Sequence, residues 1–160
     1  MDRFFEKISF DQFKKDIKDD INLYNNYELP KRKTRSSAGY DFLAIEDFTL
    51  APGEIKKIPT GVKAKMLDDE VLIIVVRSSM GFKYNVRATN QVGVIDSDYY
   101  NSQENEGHMW VSLQNHGDKT FSVKAGEGIA QGIFIKYLTC GEEVEKERDG
   151  WSSLDEEGRL

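Results

Sequence analysis

The chain has 160 residues, 39% of them apolar and 31% charged, with a formal net charge of -6 and one cysteine, Cys140. That length fits one domain able to bury about two-thirds of the unfolded chain's surface, and the composition is that of a globular rather than a disordered chain. The acidic total argues against a protein that grips DNA or RNA, the single cysteine excludes an internal disulfide and a Cys-based zinc site, and no apolar run reaches transmembrane length.

The N-terminus, MDRFFEKISF, lacks the uncharged apolar core of a signal peptide. With one cysteine and no such leader, the expectation is a cytoplasmic protein with no membrane partner. Residues 1–24 form a helical extension in this reading. Ser9 and Gln12 have the spacing of a capping box, and Phe10, Phe13, Ile17 and Ile21 fall on one helical face. Such a stripe packs on the main body; a cofactor-binding role is the sharper alternative.

From Tyr27 onward the pattern is strands and turns. Ala51-Pro52-Gly53-Glu54 is a turn. Ile55, Ile58, Val62, Ala64 and Met66 are mostly two apart, with a bulge or kink at Pro59-Thr60-Gly61. Val71 to Val76 is continuous and β-branched, as in a strand buried on both faces. Met109, Val111 and Leu113 alternate, as do Phe121 and Val123; a turn at Ala125 to Gly128 leads into a strand from Ile129 to Leu138. Short strands joined by turns predict an all-β sandwich or barrel over residues 1–160, with a flexible tail at 141–160.

Five polar segments interrupt this pattern. Asp41 lies in Ala38 to Phe42, where a carboxylate at an apolar strand start needs a partner, a metal or a turn to cap. Arg77, Ser78, Ser79 and Gly81 follow the most apolar strand; a guanidinium, two hydroxyls and a glycine-permitted turn are donors for a phosphate. Gly93, Val94 and Ile95 read as the centre of a buried strand that ends in Asp96 and Asp98 before Tyr99 and Tyr100, with Asn90 upstream. Alternation puts both acids on one face, either as a turn or as a catalytic carboxylate at a pocket rim. Gln131 is a polar break in the last strand, and Arg148 and Trp151 sit in the tail.

In this order, the segments resemble the five motifs of the homotrimeric deoxyuridine triphosphatases (dUTPases), from about Tyr27 to Ser153. SAGYDF (Ser37 to Phe42), VGVIDSDY (Val92 to Tyr99) and GIAQGIF (Gly128 to Phe134) carry most of the likeness. The resemblance implies a β jelly roll, Mg²⁺-dependent hydrolysis of dUTP to dUMP and pyrophosphate, and a trimer whose sites draw on three chains. It implies Asp96 as the acid that deprotonates the attacking water, and Asp41 as the acid that holds hydrated metal through water. Arg77 supports the phosphate segment, Ser78, Ser79, Gly81 and Gln131 bind substrate, and Asn90 with the backbone of Val92, Gly93 and Val94 reads uracil. Tyr99 packs under the deoxyribose, Asp98 is structural, and Arg148 and Trp151 supply a phosphate-binding arginine and an aromatic lid.

The tail, RDGWSSLD, departs from the family's glycine-rich RGGFGSTG kind, and Gly128 stands where the family often has a basic residue. The loop Tyr100 to Gly107 is longer than the family's turn and reads as a solvated insertion rather than a partner contact. Two alternatives remain open at this point. One is a dCTP deaminase of the same superfamily, although Ser112 stands where that enzyme needs a glutamate. The other is a catalytically impaired relative that binds nucleotide or protein.

Overall fold

The computed structural model describes residues 2–141 and 146–148. In chain order its elements are β1 (Phe4–Lys7), α1 (Phe10–Asp16), α2 (Ile21–Asn26), β2 (Lys31–Arg32), β3 (Tyr40–Leu43), β4 (Phe48–Leu50), β5 (Ile55–Pro59), β6 (Val62–Lys65), β7 (Glu70–Val75), α3 (Ser78–Tyr84), β8 (Val86–Ala88), β9 (Gly93–Asp96), β10 (Trp110–Asn115), β11 (Phe121–Val123) and β12 (Gly128–Lys136). The largest sheet has the order β2-β3-β12-β7-β9; smaller ones pair β5-β10-β8, β11-β4 and β1-β6. Together they form a jelly-roll-like distorted barrel around one core that includes Phe42, Leu50, Met66, Leu72, Met109 and Leu113. Each of the larger side chains so buried contributes roughly 1.5–3 kcal/mol. No helix among the described residues is long and apolar enough to cross a membrane.

The run from Ile55 to Met66 is two strands in different sheets rather than one kinked strand. β5 pairs with β10 and β6 with β1, and the chain changes sheet at Gly61. Gly61 has φ +73°, and a Cβ there would lie 2.7 Å from the Tyr27 ring, so only glycine fits this corner. The Tyr27 hydroxyl donates to the Gly61 carbonyl at 2.6 Å.

β7 is central, flanked by β12 and β9. Leu72 and Ile74 face the core, whereas Ile73 and Val75 are only half-buried. In this single chain the strand is therefore covered fully on one face. β9 is not the centre of a buried strand but the sheet edge, with Val94 60% exposed.

The N-terminal extension corrects the expectation of one helix. Phe4 to Lys7 pair with the edge of β6 as a strand. Ser9 caps α1 by accepting from the Gln12 N–H at 3.1 Å. The reciprocal half of the capping box is absent: the Gln12 amide donates to Asp16, and the Ser9 N–H donates to Glu106 at 2.7 Å. The chain leaves helical geometry at Ile17, and Asp20 caps a new helix, so Ile21 is 48% exposed rather than on the buried face.

The loop 100–107 is not a solvated insertion. Glu106 also accepts from the Ser9 hydroxyl at 2.6 Å and from the Lys63 ammonium at 2.8 Å, and Asn101 accepts from Lys63 at 2.7 Å. Burial alone would raise the Glu106 carboxyl's pKa; the bonds from Lys63 and Ser9 outweigh it and hold the group ionised below the usual range.

His108 closes this region. Its Nε2 accepts the Gly61 N–H at 2.9 Å, which places the proton of the neutral ring on Nδ1, facing Asp16 at 2.6 Å. Burial lowers the His108 pKa below the ordinary 6.5, against the opposing pull of Asp16. The folded state thus takes up its second proton less readily than the unfolded chain. Stability from this site is complete above about pH 6.5 and is lost as pH falls through the lower folded value. Urea unfolding at about pH 8 and about pH 5.5 checks this: the midpoint drops more for wild type than for His108→Gln.

Candidate active site

Two polar clusters stand on the outer face of the five-stranded sheet. The first lies where β7 ends. Gln131 of β12 is opposite both Val75 of β7 and Asp41 of β3, so register alone places Gln131 and Asp41 on one face. The chain then leaves β7 and caps α3 with Arg77, whose Nε approaches Asp41 Oδ1 at 3.3 Å. Ser78 and Ser79 are exposed in the first turn of α3, where backbone N–H groups lack helical partners. Gly81 lies inside α3, not in a turn, and open space surrounds it. A groove of about 330 Å³ opens here, lined by Val76, Arg77, Ser78, Gly81, Phe82, Asn85 and Arg87.

Two glycines shape this cluster. A Cβ at Gly39 would sit 2.2 Å from Gln131 Oε1, and one at Gly128 would sit 2.7 Å from Arg77 Nη1. Gly39 leaves room for the carboxamide and Gly128 for the guanidinium. Both glycines were visible in the motifs, but the side chains they accommodate come from distant segments.

The second cluster lies at the other end of β9. The strand stops at Asp96, and one 3₁₀ turn, Ser97–Tyr99, brings Asp98 alongside it. Arg148 joins the two acids: Nη2 donates to Asp96 and Nε to Asp98, each at 2.7 Å. Burial would lower the Arg148 pKa, but the bond and charge of Asp98, then the charge of Asp96, hold it above its ordinary value. The guanidinium carbon also lies 5.7 Å from the Tyr99 ring centre. Tyr99 is half-buried; its hydroxyl donates to the His108 carbonyl at 3.0 Å and accepts from the Asn105 amide at 2.7 Å. Asn105 is a residue that the sequence pattern did not single out.

Asn90 sits in the turn between β8 and β9, where Gln91 takes φ +64°. A Cβ on Gly93 would lie 3.3 Å from Ile74 Cβ and 3.9 Å from the Asn90 amide nitrogen. The missing side chain leaves the hairpin wall open beside Asn90, and Val94 points outward from the same edge.

A single chain does not bring the clusters together. Asp96 is opposite Val71, and Gln131 is opposite Val75, four residues along β7. At about 3.3 Å per residue that is about 13 Å along the strands. Ile73, its β9 neighbour Val94 and its β12 neighbour Ile133 form an apolar strip between them. Arg148 is at Asp96 and not in the Arg77 groove. Trp151 and Asp149 lie outside the described residues.

A strand barrel that presents arginines and exposed serines at its strand ends is of the class that offers donors to a phosphorylated ligand. A profile of the dUTPase family matches residues 25–156. The deoxyuridine 5'-triphosphate nucleotidohydrolase of Lactococcus lactis is 46% identical over 131 residues, covering 81% of this chain and 87% of that protein. Its counterpart in Serratia proteamaculans is 36% identical over 147 residues, covering 88% and 93%. The crystal structure of the Streptococcus mutans dUTPase superposes with a TM-score of 0.69 at 38% identity, covering 86% of this chain and 98% of that one. A mutant dUTPase of Staphylococcus aureus phage phi11, described with a coordinated structural Mg(II) ion, shares the fold at 18% identity, with a TM-score of 0.65 and coverage of 90% and 97%. The chain belongs to the dUTPase family.

Gly39→Ala tests the packing of the first cluster. The added methyl displaces the Gln131 carboxamide, a side-chain end that can move without unfolding the sheet. The expected result is a thermal midpoint close to wild type and a kcat/KM for dUTP lower by about ten- to a hundredfold.

Proposed function

We propose that this dUTPase, which hydrolyses dUTP to dUMP and pyrophosphate, does so by in-line attack of water on the α-phosphorus with Asp96 as general base. The observation that carries this reading is the position of Asp96. Its carboxylate is 58% exposed at the end of β9, beside Tyr99 and on the strand that leads from the Asn90 hairpin. Among the described residues its side-chain partner is Arg148 alone. Both acids face solvent, so a polyanionic substrate can reach Arg148, compete for it and free the acid. Asp96 then takes the water's proton as the oxygen bonds to phosphorus, and the bond to the bridging oxygen breaks to release pyrophosphate.

The remaining roles are those that the family's motifs imply. Asn90 and the backbone of residues 92–94 meet the uracil edge; hydrogen-bonding groups left unpaired by the wrong base discriminate strongly. The ring of Tyr99 closes the space that a 2′-hydroxyl would need. Arg77, Ser78, Ser79 and Gln131 bind phosphate oxygens, with Gly81 in the same helix leaving the groove wall open. Arg148 passes from the acids to the phosphates, and Trp151 serves as the lid over the base.

The donor set suits Mg²⁺ held mainly by substrate and water. No group of three His, Cys, Asp or Glu side chains that could hold a metal occurs among the described residues. Asp41 contacts Arg77 through Oδ1, and its Oδ2 is the atom that would meet a metal-bound water. When bound, Mg²⁺ neutralises the triphosphate and fixes its conformation.

The chain acts as one domain, residues 1–160, assembled as a homotrimer with shared sites. The separation of about 13 Å between Asp96 and Gln131 along the sheet, with an apolar strip between them, supports this: a second chain both covers the strip and closes the distance. The exposed free Cys140 suits the reducing cytoplasm.

Asp96→Asn is expected to lower kcat by at least about 10²-fold while a non-hydrolysable dUTP analogue still binds, read by single-turnover kinetics and calorimetry. Shared sites make a second prediction. Asp96→Asn and Arg77→Ala, each inactive alone, regain part of the wild-type rate when unfolded and refolded together. Wild-type residues from different chains then meet in some sites. A mixture no more active than its components rules out sharing.

A further inference from the structure

We propose that Asn105 is a positioning residue for sugar selectivity, acting through the hydroxyl of Tyr99. This rests on the reading of Tyr99 as the wall of the deoxyribose site and adds a residue from outside the motifs. Tyr99 leaves its 3₁₀ turn half-buried, and its ring position is fixed at the far end by two bonds. Its hydroxyl donates to the His108 carbonyl at 3.0 Å, and the Asn105 amide donates to the same hydroxyl at 2.7 Å. The hydroxyl hydrogen and a lone pair are thus both used. Burial raises the phenol's pKa, so it stays protonated and keeps its donor role.

Asn105 can hold this position because the loop is held in turn. Its carbonyl accepts the Gly107 N–H at 3.1 Å, which orients the amide nitrogen toward Tyr99. The neighbouring Glu106 ties the loop to Ser9 and Lys63, and His108 is fixed by Gly61 and Asp16. The loop thus reaches the aromatic ring that this reading sets against the sugar. A ring clamped at its hydroxyl cannot tilt away from an added 2′-hydroxyl. A ring released at that point can, and the ribonucleotide gains access. Preorganised walls reject a larger substrate only as far as they resist movement.

The measurement is the ratio of kcat/KM for dUTP to kcat/KM for UTP, for the full chain. Asn105→Ala, with Asn105→Leu as a second variant closer in volume, is expected to lower this ratio by about five- to tenfold, the worth of one net hydrogen bond. Most of the change appears as faster turnover of UTP, with kcat for dUTP within about twofold of wild type. A loss of stability alone, followed by thermal unfolding, changes the amount of active enzyme and leaves the ratio where it was. Tyr99→Phe removes both bonds, so Asn105→Ala should have no further effect on the ratio in that background. An unchanged ratio in both Asn105 variants, or an equal effect with and without the Tyr99 hydroxyl, overturns the proposal. Tyr99→Ala separates the two claims: a ratio unchanged there overturns the reading of Tyr99 itself, whereas a lowered ratio there with inert Asn105 variants overturns only the role of Asn105.

Discussion

The pairing of β7 with β12 on one side and β9 on the other fixes where every polar group of the outer sheet face stands. Register leaves no freedom: residues opposite one another share a face, and a slip of one residue would turn Asp96, Gln131 and Asp41 inward. The core side of β7, Leu72 and Ile74, resists such a slip because it would exchange buried side chains for half-exposed ones. The same register explains the distance between the clusters. A stiff strand cannot bend Asp96 toward Gln131, so the fold of one chain presents two polar clusters separated by an apolar strip.

Charge is arranged locally against the sign of the whole. The chain carries a net -6, yet its proposed substrate is a polyanion. Each acid at the sheet face is met by an arginine: Arg77 beside Asp41, and Arg148 across Asp96 and Asp98. These pairs differ in setting. Asp41 is mostly buried beside a backbone turn, whereas Asp96 and Asp98 are exposed and their arginine comes from near the chain end. The first pair is largely shielded from water, and the second faces solvent through its two acids. Glycines at 39 and 128 leave the volume that the first cluster's side chains occupy, so the close approach is steric as much as electrostatic.

The N-terminal extension and the loop 100–107 were the parts least legible in the sequence. Capping at Ser9 was readable from a three-residue spacing, because a cap is a local bond. That the Ser9 N–H would go to Glu106, and not to Gln12, was not readable: the partners are far apart in sequence. Phe4 to Lys7 carry no clear alternation, and they become a strand because the edge of β6 is there to pair with. Likewise Val71 to Val76 read as buried on both faces, which the residues themselves support, but one chain covers only one face fully.

The sequence by itself determined the strand-and-turn pattern, the corner and turn glycines, and the five motifs that mark the family. Each depends on contacts between residues a few positions apart, or on side-chain chemistry that needs no partner to be recognised. Only the tertiary structure decided that Gly81 is helical, that β9 is an edge, that Arg148 lies on Asp96 and Asp98, and that Asn105 holds the Tyr99 hydroxyl. Those are choices of partner between segments far apart in the chain. They are made by register and by the shape of the packed core, which no local pattern encodes.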